Sequence, residues 1–473
     1  MNNAQRIVKN TFSLLFSGII SQAIGFIVIV YLARILNPDS FGKISFALAI
    51  ITYFSLITNL GLPLLGTREI ARDKKKISEY LGNILTMRLC LAVLSFGLLF
   101  LITSFLNKPL EIKYLIILYG LGLIPSALLL DWVFQGLEKM EYIGLGRILS
   151  SLIYAVLVFY FIKGQKQLLL IPCIAVIINL LVTGLLFFIF IKKFGKLKLK
   201  FNIIFWKNLV RQALPLGISI VMIQVIHNID MVMLGFMRTD TEVGYYSAAY
   251  KIPLALISIG AFYFDAIFPV VSNYYKTSLD SLKKLQSYTA KLMVSIALPL
   301  GIGGTILAKP LMNLLYGTKY DNGIIAFQIL IWVVVLIYIN MIYARGMWAC
   351  DKQNEFLKIV TFQGLANIGL NLFLIPSFGI IGAAIATVSA EILGFFFYYR
   401  EFNKVVYVPI HNYIVRPLIA AIVMALFLKY GLNLNIFFLI VIGGFIYTVF
   451  LYFMKGISTR DIQFVQNVLL KKQ

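Results

Sequence analysis

Apolar residues run along this chain in long blocks, each closed by a short polar or Pro/Gly cluster. A membrane-crossing helix needs about 20 mostly apolar residues. By that measure the pattern predicts helices near 11–36, 44–66, 80–106, 113–136, 143–162, 168–191, 211–237, 244–272, 287–308, 323–349, 356–376, 379–400, 413–431 and 434–454. The expected fold is an all-α polytopic membrane protein with about 14 transmembrane helices. Turns as short as Asn37-Pro38-Asp39 and Asn433 separate the first and last pairs, so almost nothing is left outside the bilayer.

The blocks also repeat. A shift of 202 positions lays Gln22 on Gln224, Gly42 on Gly244, Ser45 on Ser247 and Ala47 on Ala249. The turn Asn37-Pro38-Asp39-Ser40 then falls on Thr239-Asp240-Thr241-Glu242. An offset of six helices preserves orientation, which makes this a parallel repeat of the kind that relates two halves of a transporter. The predicted organisation is a six-helix lobe over 1–195 and a second over 196–405. Helices 13 and 14 with a cytoplasmic tail follow over 406–473.

Composition supports the membrane reading. Hydrophobic residues make up 60% of the 473 and charged residues 13%, against about half and a quarter in soluble domains. Arg6 and Lys9 precede the first apolar run, which is too long for a signal peptide and reads as a retained span. The net charge of +23 resides mainly in alternate connections between spans, which points to membrane topology and not to nucleic acid. Basic connections stay cytoplasmic, so a multi-pass protein of the cytoplasmic (inner) membrane with both termini inside is expected. The densest block, Lys192 to Arg211, contains Lys193, Lys196, Lys198, Lys200 and Lys207, then Phe201, Phe205 and Trp206. It reads as a linker lying on anionic lipid.

Metal and nucleotide chemistry find little support. Cys90, Cys173 and Cys350 lie in separate apolar segments without metal-ligand spacing, and His227 and His411 are the only histidines. No GxxxxGK[ST] motif is present, so ATP-driven transport by this chain alone is not expected. No metal or cofactor is expected.

The candidate chemistry lies in charges stranded at membrane depth. Arg88, Asp131, Asp230, Asp265, Arg345 and Glu391 each sit within or at the edge of an apolar span. Each costs about 2.5–3.5 kcal/mol on insertion scales unless it meets protein or water, so a polar route through the membrane is the first hypothesis. Helical spacing groups polar residues further. Gln224, His227, Asn228 and Asp230 share an arc, as do Lys251, Ser258 and Asp265. Gln363, Asn367 and Asn371 recur every four residues, as do Ser13, Ser17 and Ser21, and Thr387 pairs with Glu391. Such stripes either line a cavity or join helices through hydrogen bonds. Arg88 either faces the cavity or snorkels to the cytoplasmic surface, and Arg34 and Lys43 read as boundary anchors or as groups at a cavity mouth.

Several stretches resemble the polysaccharide flippases of the Wzx type, in the superfamily that includes multidrug-and-toxin exporters and the peptidoglycan lipid flippase. They are Tyr31-Leu32-Ala33-Arg34-Ile35-Leu36 with Phe41-Gly42, Gly66-Thr67-Arg68-Glu69, Asp131-Trp132-Val133-Phe134-Gln135-Gly136, Asn228-Ile229-Asp230, Gly244-Tyr245-Tyr246-Ser247-Ala248-Ala249-Tyr250-Lys251, and Ile375-Pro376 with Gly379-Ile380-Ile381-Gly382. The resemblance implies two six-helix lobes moving an undecaprenyl-diphosphate-linked oligosaccharide from the inner to the outer leaflet. It also sets Arg68, Asp131 and Gln135 in matching cytoplasmic motifs. Such a cargo needs a cationic cavity, for which Arg345, Lys251 and Arg88, with Asn367 and Gln363, are the candidates. Asp230, Asp265, His227 and Glu391 are the candidates for coupling to H+ or Na+. Lipid-linked oligosaccharide, membrane lipids and other polysaccharide assembly proteins are the expected partners. The competing readings are a multidrug or cation antiporter of the same superfamily, a membrane glycan polymerase, and a purely structural membrane protein. The first would favour an acidic, aromatic lining. The second needs a large external loop or clustered carboxylates, neither of which the sequence contains, and an enzyme is therefore not expected.

Overall fold

The computed structural model describes residues 3–195, 199–432 and 434–456, with no side-chain description for 3–12, 215 and 216. Lys196, Lys198, Asn433 and the expected tail over 457–473 lie outside the described residues. The described residues are almost wholly helical and form no strand.

Among the described residues, twelve helices are long and apolar enough to cross a membrane. The expected count of fourteen turns on two further segments. The helix Gln353–Phe402 holds a break at Gly379, where φ 56° and ψ −132° are open to glycine and strained for other residues. Two of the expected spans meet there. The helix Val415–Tyr430 has 16 residues and falls short of a full span. Large apolar side chains remain bare on many helices, among them Phe100 at 52%, Phe188 at 63%, Val441 at 69% and Phe445 at 68% exposed. Apolar surface of this extent belongs against lipid.

The chain divides into two compact units, 1–235 with 239–244, and 236–238 with 245–473. The helix Ile203–Met237 thus belongs up to Gly235 with the first unit, beyond the lobe boundary expected at 195/196.

In the first unit, Asn3–Ile35 packs along Met140–Phe161, and Pro38–Asn59 packs on Ile77–Phe105. The two turns matched by the repeat are built alike. The Asn37 side chain accepts from the Ser40 amide at 2.8 Å and starts Pro38–Asn59. The Thr239 hydroxyl accepts from the Glu242 amide at 3.3 Å at the start of Asp240–Thr277. These are helix caps, and they fall at equivalent positions. The turns also touch reciprocally. A Cβ on Gly42 would stand 1.7 Å from the Asp240 carbonyl oxygen, and a Cβ on Gly244 1.9 Å from that of Pro38. Each glycine meets the repeat equivalent of the residue its own counterpart meets.

In the second unit, Ile324–Ala349 packs on both Gln353–Phe402 and Leu279–Ile306. The closing pair, Val415–Tyr430 and Ile436–Phe453, rests on Leu279–Ile306 through Met424, Leu428, Leu439, Tyr447 and Leu307. The Tyr447 hydroxyl adds a 2.5 Å bond to the Ser295 carbonyl.

Candidate functional site

Charged and polar side chains at membrane depth fall into two kinds, those that satisfy backbone and those left for other work. Arg88 is of the first kind. It is 4% exposed on Ile77–Phe105 and donates to the carbonyls of Ser126 at 2.8 Å and Leu129 at 3.3 Å, and to Asn59 Oδ1 at 2.8 Å. The span over 110–136 is broken into Leu110–Gly120, Leu123–Leu128 and Asp131–Gly136. A broken helix frees carbonyls that water cannot reach at this depth. Arg88 takes them up, so it is held inside and does not snorkel. Arg238 does the same in the second unit, donating to the carbonyls of Ile375 at 3.1 Å and Pro376 at 2.8 Å beside the Gly379 break.

The motifs around Arg68 and Asp131, expected on the cytoplasmic side, pack on each other in the first unit. Thr67 donates to the Trp132 carbonyl at 3.0 Å, and Gly66 lies so close to the Trp132 ring that a Cβ would sit 2.3 Å from it. Gly136 approaches Ile70 in the same way. Arg68 is exposed and bonds Glu69 at 2.8 Å and Gln212 at 3.1 Å. Asp131 is half-buried at the start of its short helix with Arg88 and Arg147 as charged neighbours, and Gln135 is exposed. Lys43 is engaged by Asp39 at 2.8 Å and Glu111 at 2.7 Å, and Lys108 stands 3.6 Å from Asp240. Lys43 therefore ties the first turn to the helix Leu110–Gly120.

On Ile203–Met237, Asp230 is completely buried and Asn228 donates to Gln224 Oε1 at 2.8 Å. The Tyr53 hydroxyl, which feels the Asp230 charge, reaches the Gln224 carbonyl at 3.5 Å. His227 Nδ1 is buried without a hydrogen-bond partner among the described residues. Helical spacing found this arc, while Tyr53 left no signal in its own span.

The second unit holds a buried polar cluster. Asn340 donates both to the Glu391 carboxylate at 2.8 Å and to its backbone carbonyl at 3.0 Å. Gln363 accepts from Tyr398 at 3.2 Å and bonds Glu391. Asn371 donates to Asn367 at 3.1 Å, and Thr387 meets Tyr246 at 3.3 Å. Asn340, Gln363, Asn367, Asn371, Thr387 and Glu391 are all at most 5% exposed. The Asn340 Oδ1 and Asn367 Nδ2 atoms find no partner among the described residues. The spacing argument identified the 363–371 stripe and Glu391. It missed Asn340, whose signal was a single amide in an otherwise apolar span.

Arg345 and Asp265, expected in separate roles, form an ion pair at 3.3 Å, with 33% and 55% of their side chains exposed. The guanidinium also lies 5.7 Å from the Trp348 ring centre. Lys251 is half-buried and makes no ion pair or hydrogen bond among the described residues. No group of three metal-ligating side chains occurs among the described residues.

The chain is 27% identical to a putative O-antigen transporter of Escherichia coli K12, covering 77% of this chain and 88% of that one. It is 20% identical to the capsular polysaccharide biosynthesis protein CapF of Staphylococcus aureus, covering 84% and 100%. Among solved structures, the lipid II flippase MurJ in an inward closed conformation aligns with TM-score 0.77 and 15% identity over 95% of this chain and 99% of MurJ. An inward-facing multidrug transporter of the MATE family aligns with TM-score 0.66 and 17% identity over 81% and 95%. These two structures bear out the expected fold. Residues 7–275 match the family described as polysaccharide biosynthesis protein, and the chain belongs to that family.

Proposed function

We propose that this protein is a flippase carrying an undecaprenyl-diphosphate-linked oligosaccharide from the inner to the outer leaflet of the cytoplasmic membrane, for surface polysaccharide synthesis. The observation that carries the reading is a fold like that of a lipid flippase over nearly the whole chain, with an ammonium inside a span, Lys251, that pairs with no described residue. A diphosphate headgroup calls for such a cation, and an unengaged lysine offers it as a point charge. The half-buried Arg345, already sharing its charge with Asp265, is the second cation the headgroup meets.

Transport proceeds by alternating access of two lobes, 1–195 and 196–405, with the closing helices over 406–473 appended and both termini in the cytoplasm. Coupling to H+ or Na+ runs through Asp230 and Glu391, with His227 and Asp265 contributing. The two leading carboxylates are buried at membrane depth, where a change in bound cation alters local charge most. The proposal gives the chain no catalytic step. Partners are the lipid-linked oligosaccharide, surrounding lipids and other polysaccharide assembly proteins.

Complementation tests the reading. A strain lacking its own flippase should regain surface glycan and stop accumulating lipid-linked glycan when it expresses this chain. Continued accumulation with the chain present in the membrane would overturn it. The antiporter alternative predicts instead that drug efflux rises while glycan export does not.

A further inference from the structure

In the second unit an open pocket of about 560 Å³ lies at the start of the helix Leu279–Ile306, apart from the buried polar cluster. Lys283, Lys284, Ser287 and Lys291 line it within a helical arc of about 100°, which directs them to one side. Tyr413, from the turn Ile410–Tyr413, contributes a hydroxyl from a second element. Three ammonium groups thus face a single carboxylate, Asp280. Lys283 and Lys284 are exposed and engage no partner among the described residues. Charge and hydroxyl donors together suit a phosphate group.

The surroundings indicate what carries that phosphate. Two residues beyond Tyr413 the helix Val415–Tyr430 begins, packed on Leu279–Ile306. It leaves Val415 60%, Ile419 41% and Ile422 49% exposed, at the spacing of one face. A cationic cup beside an apolar stripe matches a molecule with an anionic head and acyl chains. Basic pockets between membrane helices bind such headgroups. We propose that this pocket holds the phosphate of an anionic glycerophospholipid, a bound membrane lipid separate from any transported cargo. The proposal does not depend on the transport reading, because binding is measured without transport.

The test uses the full chain purified in detergent and follows its thermal unfolding midpoint as lipid is added. The variant Lys283→Gln/Lys284→Gln removes two exposed side chains without touching the packed core. Phosphatidylglycerol should raise the wild-type midpoint, whereas phosphatidylcholine and soluble glycerol 3-phosphate should not. In the double variant the phosphatidylglycerol needed for half the effect should rise roughly tenfold. An unchanged requirement in the variant would overturn the site. Equal protection by phosphatidylcholine would remove the role of charge, and equal protection by glycerol 3-phosphate would remove the lipid.

Discussion

Gly42 and Gly244 occupy equivalent positions in the two halves of the repeat, and each lies against the backbone at the start of the other's helix. Neither position has room for a single methyl group, since the nearest carbonyl oxygens would stand 1.7 and 1.9 Å from it. Gly42→Ala and Gly244→Ala should each force the two turns apart, at a cost of about 1–3 kcal/mol typical of overpacking. The expected readout is greater labelling of a cysteine placed at Asp39, together with reduced glycan export. Wild-type labelling in both variants would show that the contact is dispensable.

Lys251→Ala should lower glycan export by roughly ten- to a hundredfold, the factor that corresponds to losing one charged hydrogen bond of about 1.5–3 kcal/mol. Membrane insertion should be unchanged, and Lys251→Arg should restore part of the activity. Arg345→Ala should have a smaller effect, because Asp265 already shares that charge. Export assays with membrane-fraction immunoblots would check both.

Asp230→Asn should leave substrate binding intact but free export from its dependence on an ion gradient. Glu391→Gln keeps the shape of the Asn340 bond and removes the charge, so it separates charge from packing. Transport into vesicles with and without an imposed H+ or Na+ gradient would measure this. A wild-type gradient response in both variants would exclude these carboxylates from coupling.

Arg88→Ala should destabilise the protein by about 2–5 kcal/mol, because it strips donors from two buried carbonyls and from Asn59. Arg88→Lys should recover only a fraction, since an ammonium cannot span the same acceptors in a plane. Thermal unfolding in detergent would rank the three proteins.

Burial, with Asp351 beside it, pushes the Cys350 thiol up to about 12. At pH 8 only about one thiol in ten thousand is then the reactive thiolate. A variant retaining Cys350 as its sole cysteine should therefore resist maleimide until unfolded. Its labelling rate should climb tenfold per pH unit up to the pKa. Rapid labelling of the folded protein at pH 8 would contradict the burial.

Sequence alone carried the helices, the repeat and the polar faces, because each is a local regularity. The matched turns both carry helix caps, at Asn37 and Thr239, and Gln363, Asn367 and Asn371, which the spacing set on one face, are all buried. What escaped depends on contacts between distant segments. Asp265 and Arg345 gave no sign of pairing, since nothing in an apolar span records what lies across from it. Arg88 read as a cavity cation or as a snorkelling one, and not as a partner of backbone carbonyls, because the break at Leu129-Leu130 is spelled entirely in leucine. Gly120, Gly122 and Pro125 are the breakers that precede it.

That break has a consequence for how the protein is made. The groups that satisfy Arg88 include the Leu129 carbonyl, 41 residues further along the chain. Until that stretch has left the ribosome, only Asn59 of its three acceptors has been made, and the span bearing Arg88 carries a cation that is mostly unmet. Its entry into lipid is opposed by about 2.5–3.5 kcal/mol. The third and fourth spans should therefore partition into the bilayer as a pair, with the guanidinium acting as a checkpoint on the order of assembly.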